Sequence, residues 1–163
     1  MNLSSIVNRT VAVALPHTSV TQAAKLMREY HIGALVVMSS DQPDALPRGM
    51  LTDRDLVLEV LAQEVDPDMV TVGDISLERL VTASVDDSLF EAVSRMSEAG
   101  VRRLVIVDEV GGLIGLVSMD DVIVALSQAL VALAQIIPSE LRAERRERPG
   151  LDEGAEAGSA WRA

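Results

Sequence analysis

Apolar residues follow two different periods along this chain, and the two periods alternate in a fixed order. The runs at 34–38 and 104–107 are continuous and rich in β-branched residues, which predicts buried strands. Before each run, apolar residues recur at helical spacing, and Ser19 or Ser88 stands where the predicted helix begins. The residues at this spacing are Val20, Ala23, Ala24, Met27 and Tyr30 in the first helix and Leu89, Ala92, Val93 and Met96 in the second.

The same order of elements occurs twice because the chain repeats itself. A shift of 69 positions places residues 3–38 on residues 72–107. After a loop the shift becomes 66, and residues 49–52 fall on residues 115–118. The three-residue difference lies in 39–48, where Ser, Asp and Pro are typical of a surface loop. The chain is therefore expected to contain two homologous units.

Each unit is predicted to have the order β-α-β-β-α, which makes the fold class α/β (α+β). A short extended segment, 11–14 or 80–83, begins the unit, and a helix over 53–63 or from 119 to about 137 ends it. The predicted domains are residues 1–68 for the first repeat, 69–138 for the second, and 139–163 for a charged helix end that leads into a disordered tail.

The second predicted strand of each unit ends in the same pattern, Gly, two apolar residues, Thr or Ser, two further residues and Asp. Thr52 and Ser118 stand at the first turn of a helix, where free backbone N–H groups and the positive helix end favour a phosphate. Asp55 and Asp121 follow three residues later, and an ionised carboxylate accepts both hydroxyls of a ribose. The same spacing is also that of a capping box, which serves stability alone, so both interpretations stay open.

With the repeat and the doubled motif together, residues 3–137 resemble the tandem cystathionine-β-synthase-type (CBS) domain pair, a regulatory module that often binds adenosine nucleotides. The resemblance implies two repeats packed with pseudo-twofold symmetry around a shared cleft. The implied ligand is AMP, ADP or ATP, with S-adenosylmethionine or NAD as alternatives, no cofactor is required, and Mg²⁺ enters only with a nucleotide. The contacts implied by the resemblance are Thr52 and Ser118 with phosphate, Asp55 and Asp121 with ribose, and the backbone of Val11 and Thr82 with adenine.

Arginines add a second set of candidate phosphate ligands. Arg54 lies inside the first motif, whereas the second motif has Asp120 at that position, which places negative charge where an anion should bind. Arg102 and Arg103 precede the buried strand of the second repeat. If the repeats pack as in CBS pairs, Arg103 reaches the cleft from the opposite copy, and the alternative is a solvated surface pair.

Composition narrows the class of function. A net charge of −11 opposes binding to nucleic acid or to an anionic membrane, because both partners are negatively charged. The chain has no cysteine, which excludes thiolate nucleophiles and Cys-ligated zinc and fits a cytoplasmic protein. Its two histidines are predicted in a turn and after a helix end, and no catalytic pairing is found, so an enzyme is not expected.

The last predicted helix is apolar on nearly every face. Polar residues interrupt the apolar stretch at 122–137, which favours a packed helix over a membrane span. The excess apolar surface suggests a partner, and CBS pairs commonly dimerise through their helices, so a homodimer is predicted. The main hypothesis is a stand-alone cytoplasmic CBS pair that senses an adenosine-type small molecule and acts in trans on an unknown protein partner. The alternative is a ligand-free dimerisation or interaction module.

Overall fold

Two three-stranded sheets, one from each repeat, form the framework of the fold. The computed structural model describes residues 1–75 and 80–147, and the contacts divide the chain into two units, Met1–Val122 and Ile123–Ala163. The first repeat contains β1 (Val13–Ala14), α1 (Val20–Tyr30), β2 (Ala34–Met38), β3 (Pro47–Thr52) and α2 (Asp53–Asp55), which continues as a π-helix (Leu56–Leu61). The second repeat contains β4 (Thr82–Ala83), α3 (Leu89–Ala99), β5 (Arg103–Val107), β6 (Leu113–Ser118) and α4 (Met119–Ala134), after which α5 (Ile136–Glu147) follows. The predicted α/β class and the doubled β-α-β-β-α order are confirmed.

The strand registers reproduce the shifts read from the sequence. In the first sheet β1 is parallel to β2, and Val13 pairs with Val36. In the second sheet Thr82 pairs with Val105, and both residues lie 69 positions after their counterparts in the first pair. The antiparallel pair Val36–Met50 corresponds in the same way to Val105–Leu116, where the second partner is 66 positions later. Both β-hairpins also change register at the equivalent place, after residues 37 and 106.

The central strands are buried on both faces because alternate residues belong to different cores. In β2, Leu35 and Val37 pack with α1 residues such as Ala23 in the core of the first repeat. Val36 points the other way and packs in one cluster with Val105, its counterpart in the second repeat. The two sheets therefore face each other, as pseudo-twofold symmetry requires, and a β-branched run without polar alternation is explained.

The serines predicted to begin the helices are their N-caps. The Ser19 hydroxyl accepts a hydrogen bond from the Gln22 backbone N–H, and Ser88 forms a full capping box with Glu91. The pKa of the Glu91 carboxyl is held below its usual range, chiefly because the Ser88 backbone N–H donates to it and, to a smaller extent, because the Ser88 hydroxyl does. The buried stripe of α1 ends at Met27, whereas Ala24 and Tyr30, which share the helical spacing, are exposed.

The two repeats exchange their leading segments: the segment that precedes the first repeat bonds to the second repeat, and the segment that precedes the second repeat bonds to the first. Leu3 and Ser4 donate backbone hydrogen bonds to the Asp87 and Val85 carbonyls, and Asn8 exchanges two backbone hydrogen bonds with Leu116 of β6. In the same way, the Val20 N–H donates to the Val70 carbonyl and the Val72 N–H to the Thr18 carbonyl. This exchange ties the two repeats together through backbone hydrogen bonds. The predicted domain boundaries at 68/69 and 138/139 stay predictions.

Gly115 permits the close approach of the first segment to β6. A Cβ atom at this position would lie 2.5 Å from the Asn8 carbonyl oxygen and 2.6 Å from a Val7 methyl carbon. Only glycine leaves that space free, so the glycine of the second motif is needed for packing.

The second unit is helical as far as the structure describes it. The predicted final helix is interrupted at Gln135, because Pro138 has no N–H to donate to the Ala134 carbonyl and its ring crowds that carbonyl. By length and composition Met119–Glu140 would suffice to cross a membrane, with a mean hydropathy of 1.9 and 11% of the window buried. The predicted disordered tail at 149–163 lies outside the described residues.

Candidate functional site

The first strand-to-helix corner is a closed capping box. The Thr52 hydroxyl accepts from the Asp55 backbone N–H at 3.3 Å, and Asp55 Oδ2 accepts from both the Thr52 backbone N–H and the Thr52 hydroxyl at 2.7 Å. Thr52 is only 6% exposed, and all its polar side-chain contacts are satisfied within this box. A phosphate could therefore accept a hydrogen bond from the Thr52 hydroxyl only after the hydroxyl breaks its hydrogen bond to Asp55.

The second corner repeats this geometry. Asp121 Oδ2 accepts from the Ser118 backbone N–H at 2.7 Å and from the Ser118 hydroxyl, and the Asp121 N–H donates back at 3.2 Å. The capping interpretation of both motifs is thus confirmed. The ligand contacts predicted for Thr52, Asp55, Ser118 and Asp121 stay predictions.

A small cavity lies where the first corner meets the second repeat. Its volume is about 90 Å³, and β3, the start of α2 and the turn between α3 and β5 form its walls. The lining residues are Met50, Thr52, Asp53, Arg54, Val81, Gly100, Val101, Arg102 and Arg103. The structure therefore brings Arg103 of one repeat beside Thr52 and Arg54 of the other, as pseudo-symmetry predicted.

Three arginines give this cavity its positive charge. Within residues 1–75 and 80–147, the guanidinium groups of Arg54, Arg102 and Arg103 form no ion pair and donate no hydrogen bond; the single ion pair found there joins Arg95 and Asp87. One carboxylate, that of Asp53, shares the lining with them. With three arginines and one carboxylate the lining keeps a positive balance, which favours an anion, since a guanidinium donates two parallel hydrogen bonds to phosphate or carboxylate.

Five predicted site residues lie away from this cavity lining. Asp55 turns back on Thr52, and Ser118 and Asp121 form the equivalent corner of the other repeat. Val11 packs among the residues between the two sheets. Thr82 offers its carbonyl to Arg95, which donates to it at 3.0 Å. The backbone role predicted for Val11 and Thr82 is untested, although Val81 next to Thr82 does line the cavity.

The sequence interpretation missed Asp53 and the Gly100–Val101 turn. Asp53 lies against Gly33, where an added Cβ would come within 3.0 Å of its carboxylate. The turn has no charged or polar side chain, but under the 69-residue shift Gly100 and Val101 correspond to His31 and Ile32 of the first repeat. Pseudo-twofold packing makes the turn of one repeat face the motif of the other, and that signal was available.

The two corners differ in charge. Where the cavity has Arg54, the second motif has Asp120, and where it has Arg102 and Arg103, the first repeat has Gly33 and Ala34. Both corners are capped alike, so the difference in their capping contacts is small and the difference in charge is large. An anion is expected to prefer the corner at Thr52.

Comparison with known proteins agrees with the doubled geometry. The CBS domain family matches residues 3–62 and 72–128, which together cover most of the chain. This chain belongs to the CBS domain family. The two matches coincide with the two repeats, so the protein is a tandem CBS pair.

Curated relatives of this CBS pair include proteins from an archaeon and a bacterium. An uncharacterized protein of Methanopyrus kandleri is 36% identical over 123 residues, 76% of this chain but 61% of that protein. Hypoxic response protein 1 of Mycobacterium tuberculosis is 37% identical over 117 residues, 72% of this chain and 79% of the relative. This CBS pair therefore spans less than two thirds of the first relative and most of the second.

Solved structures show the same fold. A protein with CBS domains from Burkholderia ambifaria is 29% identical, with a TM-score of 0.69 over 77% of this chain and 93% of that one. Hypoxic Response Protein I, solved with two coordinated zinc ions, is 34% identical with a TM-score of 0.64 over 75% and 96%. In this CBS pair, the described residues include no cluster of three His, Cys, Asp or Glu side chains suited to a metal.

A more distant CBS pair was solved with two adenosine ligands. That structure contains 5′-methylthioadenosine and S-adenosyl-L-methionine, is 18% identical to this chain, and has a TM-score of 0.65 over 79% and 98% of the two chains. At this identity the likeness shows the shared fold.

Proposed function

We propose that this CBS pair is a regulatory module that binds the phosphate of an adenosine nucleotide in the cavity at Thr52, Arg54 and Arg103, and acts on a partner protein in trans. The observation that carries the proposal is the arginine cluster, which has no described counter-charge other than Asp53 in the same lining. A nucleotide phosphate supplies the missing negative charge. The adenosine ligands in a CBS pair of the same fold support the choice of ligand class.

The size of the cavity sets the mode of binding. Sites for whole small molecules usually measure about 300–1,000 Å³, so a cavity of about 90 Å³ accommodates a phosphate group but not a nucleotide. On this proposal the walls, which both repeats contribute, move apart to admit the ribose and base. Binding would then shift the packing of the two repeats, which is a change that a partner protein can recognise.

Calorimetry on the full chain tests the ligand. AMP, ADP, ATP, S-adenosylmethionine, NAD, adenosine and inorganic phosphate are each titrated, and Mg²⁺ is added only with the nucleotides. We expect a phosphate-bearing adenosine ligand to bind more tightly than either adenosine or phosphate alone. If none of these compounds binds at high protein concentration, ligand sensing of this class is excluded.

Arginine variants locate the site. Replacing Arg103→Ala removes charged hydrogen bonds, each worth about 1.5–3 kcal/mol, so affinity for the phosphate ligand should fall roughly tenfold or more. Arg48→Ala is the matched control, because Arg48 is exposed on β3 and does not line the cavity. Equal losses in the two variants would show that the arginines act only through overall charge.

The second candidate function is a ligand-free interaction module, and the closed capping boxes favour it. Both hydroxyl–carboxylate pairs are satisfied without any further group. The two candidates differ at Asp55→Ala, which costs about 1 kcal/mol of helix stability in either case. Only under the first does it also change ligand binding, because it removes the predicted ribose contact and frees the Thr52 hydroxyl for phosphate. The nucleotide-binding proposal also includes three properties: action in trans on a partner protein, a homodimer, and a cytoplasmic location.

A further inference from the structure

A second cavity, the α1–α2 groove, lies in the first repeat between α1 and the π-helix that continues α2. Its volume is about 360 Å³, which falls within the range of about 300–1,000 Å³ usual for small-molecule sites. Its apolar lining includes the core residues Val20 and Val60, which are 3% and 2% exposed. The other apolar lining residues are Ala24, Leu56, Leu61 and Pro67. Size and lining therefore suit the apolar body of a small organic molecule.

The π-helix places Leu61 in the groove. The Ala62 N–H donates to the Val57 carbonyl at 2.8 Å, a hydrogen bond that spans five residues. Residues five apart consequently share a face, and Leu56 and Leu61 both line the groove. In an α-helix the same two side chains would be about 140° apart around the axis. π-Helical turns are rare and frequently occur at functional sites, so this wall of the groove is a second sign of a binding site.

Two cations lie beside the apolar surface. Lys25 and Arg28 are three residues apart on the same face of α1, and both line the groove. Among the residues that the structure describes, neither side chain forms an ion pair or donates a hydrogen bond, and no carboxylate lines the groove. The hydroxyl of Thr21, which also lines it, donates to Asp68 Oδ1 at 2.8 Å. In a chain with a net charge of −11, the groove thus has a positive balance.

The fold does not require these features, because the second repeat lacks them. Under the 66-residue shift Ser127 corresponds to Leu61, and the helix at that position is α-helical. Under the 69-residue shift serines correspond to both cations, and they are Ser94 and Ser97. Since the two repeats share one framework, the cations and Leu61 are not explained by folding.

We propose that the α1–α2 groove binds an anionic amphiphile, a small molecule with an apolar body and a carboxylate head. The body would lie against Leu56, Val60 and Leu61, and the carboxylate would pair with Lys25 and Arg28. The inference does not rest on nucleotide binding. A second copy of the chain is the competing occupant, but an apolar surface on that copy would leave both cations without a counter-charge. A carboxylate supplies that charge.

Carbon-13 NMR of the full chain tests the proposal at Lys25. This residue is the only lysine in the sequence, so reductive ¹³C-methylation labels its amine and the N-terminal amine, and methylation keeps the positive charge. Decanoate, added below the concentration at which it forms micelles, should shift the Lys25 signal saturably and leave the N-terminal signal in place. Decanol, which has the same chain without the charge, should bind more weakly.

Variants of the groove separate its apolar wall from its charge. Leu61→Glu should weaken decanoate binding at least roughly tenfold, because a carboxylate on the wall opposes both the body and the head of the ligand. Leu58→Glu is the matched control, since Leu58 is exposed on the same π-helix without lining the groove, and it should stay within about twofold of wild type. Arg28→Gln should weaken decanoate about two- to fivefold and leave decanol unchanged. Far-UV circular dichroism should show the same folded spectrum for all variants, because the three side chains are exposed.

Three outcomes would overturn the proposal. Equal shifts of the two labelled amines would mean that decanoate acts as a general detergent. Equal effects of Leu61→Glu and Leu58→Glu would place the binding elsewhere. A Lys25 signal that changes on dilution of the protein alone, and does not respond to decanoate, would assign the groove to a second copy of the chain.

Discussion

One residue at the end of each first helix adopts the left-handed conformation, and the two repeats fill this position differently. Gly100 after α3 has φ 68°, and His31 after α1 has φ 53°. A non-glycine residue there costs about 1–2 kcal/mol, because its Cβ approaches the carbonyl oxygen. We expect His31→Gly to raise the free energy of unfolding by about 1 kcal/mol, as measured by urea denaturation.

The reverse change in the other repeat is the control. Gly100→Ala introduces into the second repeat the backbone strain that His31 already causes in the first. No atom lies within 4 Å of the added Cβ. It should therefore lower stability by about 1 kcal/mol through backbone strain alone. A neutral His31→Gly together with a destabilising Gly100→Ala would mean that the His31 side chain compensates for its strain.

The candidate site was predictable residue by residue where charge or spacing marked it. Arg54 and Arg103 were predicted because one lies in the first motif and the other precedes the buried strand of the opposite repeat. Both line the cavity, and their contact with a ligand stays a prediction. Asp53 could not be assigned, since a carboxylate at the start of a helix is usually a capping residue. The orientation of Asp55 toward Thr52 depends on side-chain rotation, which the spacing leaves free.

At the scale of the element, the capping box of α3 makes its stability depend on pH. The lowered pKa of Glu91 means that this carboxylate stabilises the fold fully above the ordinary glutamate pKa, and that the contribution is lost as pH falls toward the lowered value. Glu91→Gln should lower the melting temperature by about 1–3 °C at neutral pH, because the charged carboxylate that accepts from the Ser88 backbone N–H is lost. The difference from wild type should shrink below about pH 4.

Ser19 provides the comparison for this prediction. It caps α1 by accepting from the Gln22 N–H, but no carboxylate returns the contact. Ser19→Ala should therefore destabilise the protein by an amount that does not change between pH 3 and pH 7. A Glu91→Gln difference that is equally independent of pH would contradict the role assigned to the Glu91 carboxylate.

The order and register of the elements followed from the repeat, whereas their lengths did not. The shifts of 69 and 66 residues fixed which strands correspond, and the observed pairs keep both shifts. The first extended segments proved shorter than predicted, because their pairing with β2 and β5 covers two residues. The interruption of the last helix at Gln135 was overlooked, although Pro138 was the signal for it.

At the scale of the whole molecule, similar backbones carry dissimilar charges. The exchanged segments, the matching sheets and the matching capping boxes give the two repeats the same framework, although the helix after the motif is largely a π-helix in the first repeat and an α-helix in the second. The arginines, however, surround the corner at Thr52, and the corner at Ser118 has Asp120 in place of Arg54. A CBS fold duplicated in sequence therefore need not have duplicated binding.

This asymmetry predicts one phosphate site per chain. Titration of the full chain with the tightest phosphate-bearing ligand should give a stoichiometry near one, because an anion at the second corner meets Asp120 and no equivalent of Arg102 or Arg103. Asp120→Ala should leave both stoichiometry and affinity within about twofold of wild type, since removing one distant charge is largely screened by salt. A stoichiometry of two, or an equal response to Asp120→Ala and Arg103→Ala, would show that the corners bind alike and that the arginine cluster does not select the site.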